Sequence, residues 1–342
     1  MRIRAVSKLI GGEILAEAIL TREKEILIPK GTELKSEYIP LIQSLEIESL
    51  MLEDPYEDYE KPHFIIQEDS IKKYTESVRK LMEGHIYHEN DKSLKIFEVI
   101  ANDIVKEINS STAEAILDMK ERNSNLYEHT VMVTLLSVLV GKKLKLDEQR
   151  LYNLALGCLL HDIGLRYVTI PYEGRDLTAV EPAEMFEYKK HTILGYSALQ
   201  DETWIPQISR KMILFHHENM EGTGFPMKQK YKETECRIIQ ACDAFDCYIS
   251  GMECKRMSVQ EALDIMIGNA GKKYDKAVVD NLVSTVAKYP VGTTVKTNVE
   301  ERGVVISQTV DPENPIIMIL NTDECSERNL MLEENISILG VV

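Results

Sequence analysis

The chain has 342 residues, 44% of them hydrophobic, and a formal net charge of −16. That length and apolar content allow two or three domains with a proper core. The acidic balance argues against a binder that tracks phosphates with a basic face, so double-stranded nucleic acid is not an expected partner.

The longest apolar run, Val131 to Gly141, is interrupted by Thr134 and Ser137 and is too short to span a bilayer. Arg2 and Arg4 lead into Lys8 and Glu13 rather than into an apolar leader segment, so a cytoplasmic protein without membrane insertion is expected. The six cysteines (158, 236, 242, 247, 254, 325) show no paired metal-ligand spacing and read as reduced core thiols.

Residues 1–62 read as a small β-rich module. Glu25 to Pro29 suits a strand entering the Lys30-Gly31 turn, Ser36 to Leu45 a short helix, and Ser49 to Leu52 a second strand. Glu53 to Lys61, acid-rich and containing Pro55, reads as a linker. From Glu68 the apolar period changes from two to 3.6. Ile71, Tyr74, Val78, Leu81 and Met82 mark one helix, and Leu94, Phe97, Ile100, Ile104 and Ile108 the next. Residues 63–120 are thus lead-in helices to a helical domain over 121–289. After Pro290, short β-branched runs separated by Asn298, Gly303 and Pro312 to Pro315 predict a small β-barrel-like module over 290–342. The fold class is mainly α, a helical bundle flanked by small β-rich modules.

Five of the eight histidines fall between positions 129 and 217, and all but the adjacent pair are more than a helix length apart. Such scatter suits ligands brought by several helices to one metal site. His129 lies on the apolar stripe Leu126, Val133, Leu136, Val140 of a helix over Asn125 to Val140. Taken alone, it is more simply a core histidine bonded to a carbonyl. His161 and Asp162 end a helix over Glu148 to Leu160, with Gly164 as its expected stop. An imidazole beside a carboxylate can take one metal while the carboxylate bridges to a second. His191 opens another helix, and His216 and His217 close the run Met212 to Phe215. Adjacent helical residues point about 100° apart, so that pair serves one centre only if the helix ends there or each addresses a different metal. Asp243 lies deep in an apolar helix without a basic residue in the following turn, which favours a ligand over an ion pair.

Together these residues resemble the HD-GYP family, the branch of the HD phosphohydrolases that hydrolyses cyclic di-GMP. The matching segments are Tyr127-Glu128-His129-Thr130, His161-Asp162-Ile163-Gly164, Ile170-Pro171, His191 with Gly195, His216-His217-Glu218, Gly222-x-Gly224-Phe225-Pro226, and Asp243-Ala244-Phe245-Asp246. The resemblance covers roughly residues 120 to 288 and implies an HD-type helical bundle as the catalytic domain. It implies metal ligation by His129, His161, Asp162, His191, His216, His217 and Asp243, with His161 and Asp162 central to catalysis. The cofactors implied are two divalent transition metals, iron or manganese, and a metal-bridged hydroxide would attack phosphorus. Gly222, Gly224, Phe225, Pro226 and Lys255 are the expected substrate contacts.

Four positions depart from the family pattern. Asn125 replaces a glutamate one turn before His129, so no third metal is expected. Leu165 stands in place of a lysine, Phe225 in place of the tyrosine of Gly-Tyr-Pro, and Met252 in place of an arginine. If lost substrate contacts limit activity, a Met252→Arg replacement is expected to raise it. Two alternatives stay open. One is a catalytically impaired signalling module that binds metal and a nucleotide or a partner protein; the other is a phosphohydrolase of a different nucleotide. Partner proteins in second-messenger signalling and a homodimer also stay open. His63, His85 and His88 are read as lying outside the centre.

Overall fold

The structure is a computed structural model and describes residues 2–6, 9, 11–20, 26–45, 47, 49–53, 66–86, 94–110, 116–319, 326–333 and 335–342. All but the first residue of the expected acidic linker lies outside these residues, as do His63, His88 and Cys325. The chain divides into two compact units. One comprises Met1–His63, Pro290–Thr309 and Asn314–Val342; the other comprises Phe64–Tyr289 and Val310–Glu313.

In the first unit, β1 (Arg2–Ala5) pairs antiparallel with β4 (Ser49–Leu52), and β2 (Ile19–Leu20) with β3 (Ile26–Ile28). The expected short helix forms as a 3-10 turn, Ser36–Tyr38, that continues into α1 (Ile39–Ser44). Pro40 sits in its first turn, where a missing N–H costs nothing. Leu15, Leu34, Ile42 and Leu52 are fully buried together. The C-terminal strands β5 (Thr294–Thr297), β6 (Arg302–Ser307), β7 (Ile316–Ile319), β8 (Glu327–Asn329) and β9 (Ile338–Val341) form one antiparallel sheet in the order β8-β7-β6-β5-β9. Val295, Thr297, Val305 and Ile317 are fully buried in it.

The second unit is helical. It contains α2 (Glu68–Ile86), α3 (Ile96–Ser110), α4 (Leu126–Lys143), α5 (Glu148–Leu160), α6 (Pro182–Lys189), α7 (His191–Ala198), α8 (Gln207–Phe215), α9 (Thr234–Ser250), α10 (Val259–Gly268) and α11 (Lys276–Val283). Side chains that cap amide groups define several starts: Asn125 for α4, Asp147 for α5, Asp275 for α11, and a Ser258–Glu261 capping box for α10. From Leu126 to Gly141, α4 is buried at every position but Glu128, the pattern of a helix enclosed by others. It packs on α2, α5, α9 and α11. The mainly α architecture with β-rich segments at both ends is the one expected from the sequence. No helix among the described residues is long and apolar enough to cross a membrane.

Gly164 differs from its expected role. The α5 helix is already over at Leu160, and Gly164 sits inside a 3-10 turn, Ile163–Tyr167, rather than in a left-handed stop. Its reason for being glycine is close approach: a Cβ there would lie 1.9 Å from the His191 carbonyl oxygen and 2.7 Å from the Gly195 amide nitrogen. The His161-Asp162 turn and the start of α7 therefore pack backbone to backbone. Gly164→Ala is expected to cost about 3 kcal/mol or more by forcing these segments apart. Denaturant unfolding of the metal-free protein checks this; a midpoint matching the parent would contradict the close-packing account.

Candidate metal centre

Helix ends place most of the candidate ligands. His161 is the C-cap of α5 with Asp162 next to it, His191 is the first residue of α7, and His216 is the C-cap of α8 with His217 following. Only His129, in the second turn of α4, and Asp243, within α9, lie inside helices. Ending α8 at Phe215 lets the neighbouring His216 and His217 face one region, as the adjacent pair required.

Four histidines are oriented in the same way. The Nδ1 atoms of His161, His191 and His216 donate to the backbone carbonyls of Cys158 (2.6 Å), Tyr188 (2.8 Å) and Ile213 (3.0 Å). That of His129 lies 2.7 Å from Asp246 Oδ2. A carbonyl only accepts, so Nδ1 must carry the proton, and in the neutral ring Nε2 keeps a lone pair. All four Nε2 atoms turn towards Asp162. Its Oδ2 lies 3.5 Å from His129 Nε2 and 3.3 Å from His161 Nε2; its Oδ1 lies 3.5 Å from His191 Nε2 and 3.4 Å from His216 Nε2. Asp243 Oδ1 closes the first group at 3.1 Å from His129 Nε2 and 3.7 Å from His161 Nε2, and its Oδ2 is 3.9 Å from His217 Nδ1.

Only His191 Nε2 and His216 Nε2, 3.1 Å apart, have hydrogen-bond geometry with each other; the rest are close but not paired. His129 Nε2, His161 Nε2, His217 Nε2 and both Asp162 oxygens are buried without a hydrogen-bond partner, although such burial is costly unless something compensates. Two ligands each about 2.1 Å from one transition metal stand roughly 3–4 Å apart, which is the spacing seen. The donor set fits divalent cations in two groups: His129, His161 and Asp162, with Asp243 beside them, and Asp162, His191, His216 and His217. Asp162 belongs to both.

A family model described as an HD domain matches residues 105–278, about half of the chain. The chain belongs to the HD domain family. It is 28% identical over 217 residues to a cyclic di-GMP phosphodiesterase of Pseudomonas aeruginosa, covering 61% of this chain and 52% of the relative. It is 26% identical over 199 residues to one of Borreliella burgdorferi, covering 56% and 51%. The chain thus spans about half the length of these relatives. Among solved structures, the HDG"Y"P protein of Bdellovibrio bacteriovorus has the same fold, with a TM-score of 0.55 at 20% identity over 82% of this chain and 97% of that one.

Beyond the expected ligands, the HD domain supplies residues that sequence reading did not assign. Arg122 Nη2 donates to Asp246 Oδ1 and Oδ2 at 2.6 and 2.5 Å, and Asp246 in turn holds His129. This relay, fully buried at Asp246, fixes the ring that faces Asp162. Asp246 carried a signal, since it lies one turn after Asp243; Arg122, 124 residues earlier in the chain, carried none. Glu253 Oε1 lies 3.7 Å from His217 Nε2 and accepts a hydrogen bond from the Tyr188 hydroxyl. Cys247 Sγ donates to Asp243 Oδ1 at 3.7 Å. Burial and the nearby carboxylates hold that thiol well above its ordinary value, so it remains a donor.

The expected substrate positions divide. Phe225 stacks on His217, with ring centroids 4.5 Å apart and an interplanar angle of 21°. Gly224 passes so close that a Cβ would lie 2.3 Å from the His217 carbonyl oxygen. Glu218 holds this segment by accepting from the amides of Met227 and Gln229. Gly222 supplies the turn at φ +75°, and Pro226 follows a cis peptide bond. Lys255 is exposed and makes no hydrogen bond or ion pair with the cluster.

Three expectations need correction. Asn125 does not share a helical face with His129: it is extended (φ −153°, ψ 118°), and its Oδ1 caps α4 by accepting from Tyr127 and Glu128. Leu165 and Met252 are 1% and 0% exposed, so they are core residues rather than vacant substrate contacts. Met252→Arg would bury a guanidinium in that core and is expected to destabilise rather than activate. A basic group does stand elsewhere: Lys189 Nζ lies 5.2 Å from the Phe225 ring centroid and has no ion pair among the described residues.

Charge in the metal-free cluster is organised by burial and by the two aspartates. Burial opposes a charge on His129 and His161, but the facing carboxylates outweigh it. They hold His129 well above its ordinary value and push His161 up to about 10. Burial would raise Asp162 and Asp243, yet the imidazoles keep both well below the usual carboxylate range. Burial takes His191 down to about 3. Cations must therefore displace protons from His129 and His161, and divalent-metal affinity is expected to rise with pH through neutrality towards about 10. Calorimetric titration at pH 7 in buffers of different ionisation heat should show release of at least one proton per chain. Uptake, or no exchange, would contradict this charge assignment.

Proposed function

We propose that this HD domain is a metal-dependent phosphodiesterase acting on cyclic di-GMP. The observation that carries the reading is the division of Asp162, with one oxygen towards His129 and His161 and the other towards His191 and His216. Two divalent cations, iron or manganese, would be held by His129, His161, Asp162 and Asp243 on one side and by Asp162, His191, His216 and His217 on the other. When bound, they supply a nucleophile at neutral pH and neutralise charge on the phosphoryl oxygens.

The chain's own groups do the rest. Asp162 sits where the two groups meet, with His161 beside it, and sets their spacing. The Nδ1 hydrogen bonds keep the imidazoles from rotating, and Asp246 with Arg122 does this for His129. Phe225 presents a ring face suited to a nucleobase beside His217. Lys189 next to it would meet a phosphate or a purine edge. The names of the curated relatives support cyclic di-GMP as the substrate.

A second reading is a signalling module that keeps metal and binds a nucleotide or a partner protein without turnover. Leucine at 165 and methionine at 252, where the resemblance implies a lysine and an arginine, leave this chain without two basic side chains, which favours it.

Anaerobic purification, metal analysis and assay of cyclic di-GMP with iron(II) or manganese(II) separate the readings. Turnover is expected, and Asp162→Ala is expected to lose both the metal and at least about a thousandfold of the rate. Metal loading with tight cyclic di-GMP binding but no turnover would favour the signalling module; turnover of other nucleotides alone would remove cyclic di-GMP as substrate. Lys189→Ala is expected to raise KM for the dinucleotide with kcat held within about threefold. An unchanged KM would remove Lys189 from the substrate contacts.

A further inference from the structure

We infer that Cys247 is a thiolate ligand of the cation held by His129 and Asp243, which makes that side of the centre chemically softer than the other. The inference rests on reading the cluster as a metal centre, but it concerns a residue outside the seven positions that the family resemblance supplies.

Cys247 is brought to the cluster by the period of α9. Asp243, Asp246 and Cys247 stand at positions i, i+3 and i+4 of that helix and share one face. The ring they address is that of His129. Asp246 Oδ2 lies 2.7 Å from its Nδ1, and Asp243 Oδ1 lies 3.1 Å from its Nε2. Cys247 completes the set: one donor atom from each of His129, Asp243 and Cys247 lies within 4.8 Å of the other two. No other cysteine among the described residues belongs to such a group. Cys158, Cys236 and Cys242 are buried as well, so burial alone does not single out Cys247.

The separations suit a shared cation. Sγ and Asp243 Oδ1 are 3.7 Å apart. Bonds of about 2.3 Å to sulfur and about 2.1 Å to oxygen then enclose an angle of about 115° at a transition metal. The 3.1 Å between His129 Nε2 and Asp243 Oδ1 corresponds to about 95° in the same way. His129 Nε2 is fully buried and has no hydrogen-bond partner, so its lone pair is available to a cation. The sequence offered no sign of this, because Cys247 is spaced to meet an aspartate and a distant histidine rather than a second cysteine.

Without metal the thiol donates to Asp243 Oδ1. When a cation binds, the S–H bond breaks, the proton leaves to solvent, and the sulfur electron pair forms the bond to the metal. The two sides of the centre then differ in kind. Asp162, His191, His216 and His217 offer only imidazole and carboxylate, whereas sulfur is a soft donor that selects iron or zinc over manganese. The softer cation therefore belongs on the His129 side.

The test is anaerobic titration of the metal-free full chain with cobalt(II), without added thiol, followed by absorption for the parent, Cys247→Ala and Cys247→Ser. In the parent a near-ultraviolet sulfur-to-cobalt charge-transfer band should grow with one of the bound cations. Both variants should lose that band and keep the visible cobalt bands of nitrogen and oxygen ligation. Affinity for that cation should fall about tenfold or more, but a thiol that only positioned Asp243 would give a loss of similar size. The band therefore decides. Denaturant unfolding of the metal-free forms is the folding control, and the parent spectrum tests the inference without any variant. If the parent binds cobalt without the band, or the band survives in either folded variant, the inference is overturned while the metal centre stands. If the parent binds no cobalt, the metal centre falls and the inference with it.

Discussion

The Asp162 carboxylate is buried to within 1% of its surface, yet neither oxygen has a hydrogen-bond partner, and four imidazole nitrogens stand 3.3 to 3.5 Å away. In an apolar interior that arrangement is stable only if positive charge is present, either as protons on the imidazoles or as cations in their place. The surrounding structure follows from this requirement. Helix termini converge on one point because a residue at a helix end can turn its side chain along the axis. Backbone carbonyls at those same ends then accept from Nδ1 and fix the rings.

Close packing keeps the convergence intact. Gly164 and Gly195 bring the His161-Asp162 turn against the first turn of α7, and Gly224 brings the Phe225 segment against the His217 carbonyl. A side chain at either point would widen the cluster by more than a metal–ligand bond tolerates. The positioning groups have the same purpose. Arg122 neutralises Asp246, and Asp246 orients His129, so an ion pair with a fully buried carboxylate is maintained for the sake of one ring. Its cost in desolvation is offset by the hydrogen bonds that Asp246 makes with Arg122 and His129, although Arg122 Nη1 has no partner among the described residues.

Most of the cluster was legible in the sequence. The order and spacing of His129, His161-Asp162, His191, His216-His217 and Asp243 on recognisable helices leaves few arrangements in which seven polar groups avoid isolated burial. Helix type was equally legible, because apolar periodicity is local. The surroundings of the cluster were less so. Leu165 and Met252 looked like missing basic contacts at their positions in the motif, but both point into the core. Asn125 looked like part of a helical face and is a cap. Glu253, adjacent to the misjudged Met252, faces the cluster and had no signal of its own.

By itself, then, the amino-acid order determined the helical class, the β-rich ends and the set of histidines and aspartates that the fold gathers in one cluster. These follow from periodicity and from residue types that only ligands or ion pairs can reconcile with burial. What tertiary packing alone decided was direction. Whether Met252 or Glu253 turns inward depends on a left-handed residue at the end of α9, and whether Arg122 meets Asp246 depends on segments 124 residues apart. Side-chain direction after a helix terminus is set by which neighbour occupies the space, and that neighbour is distant in sequence.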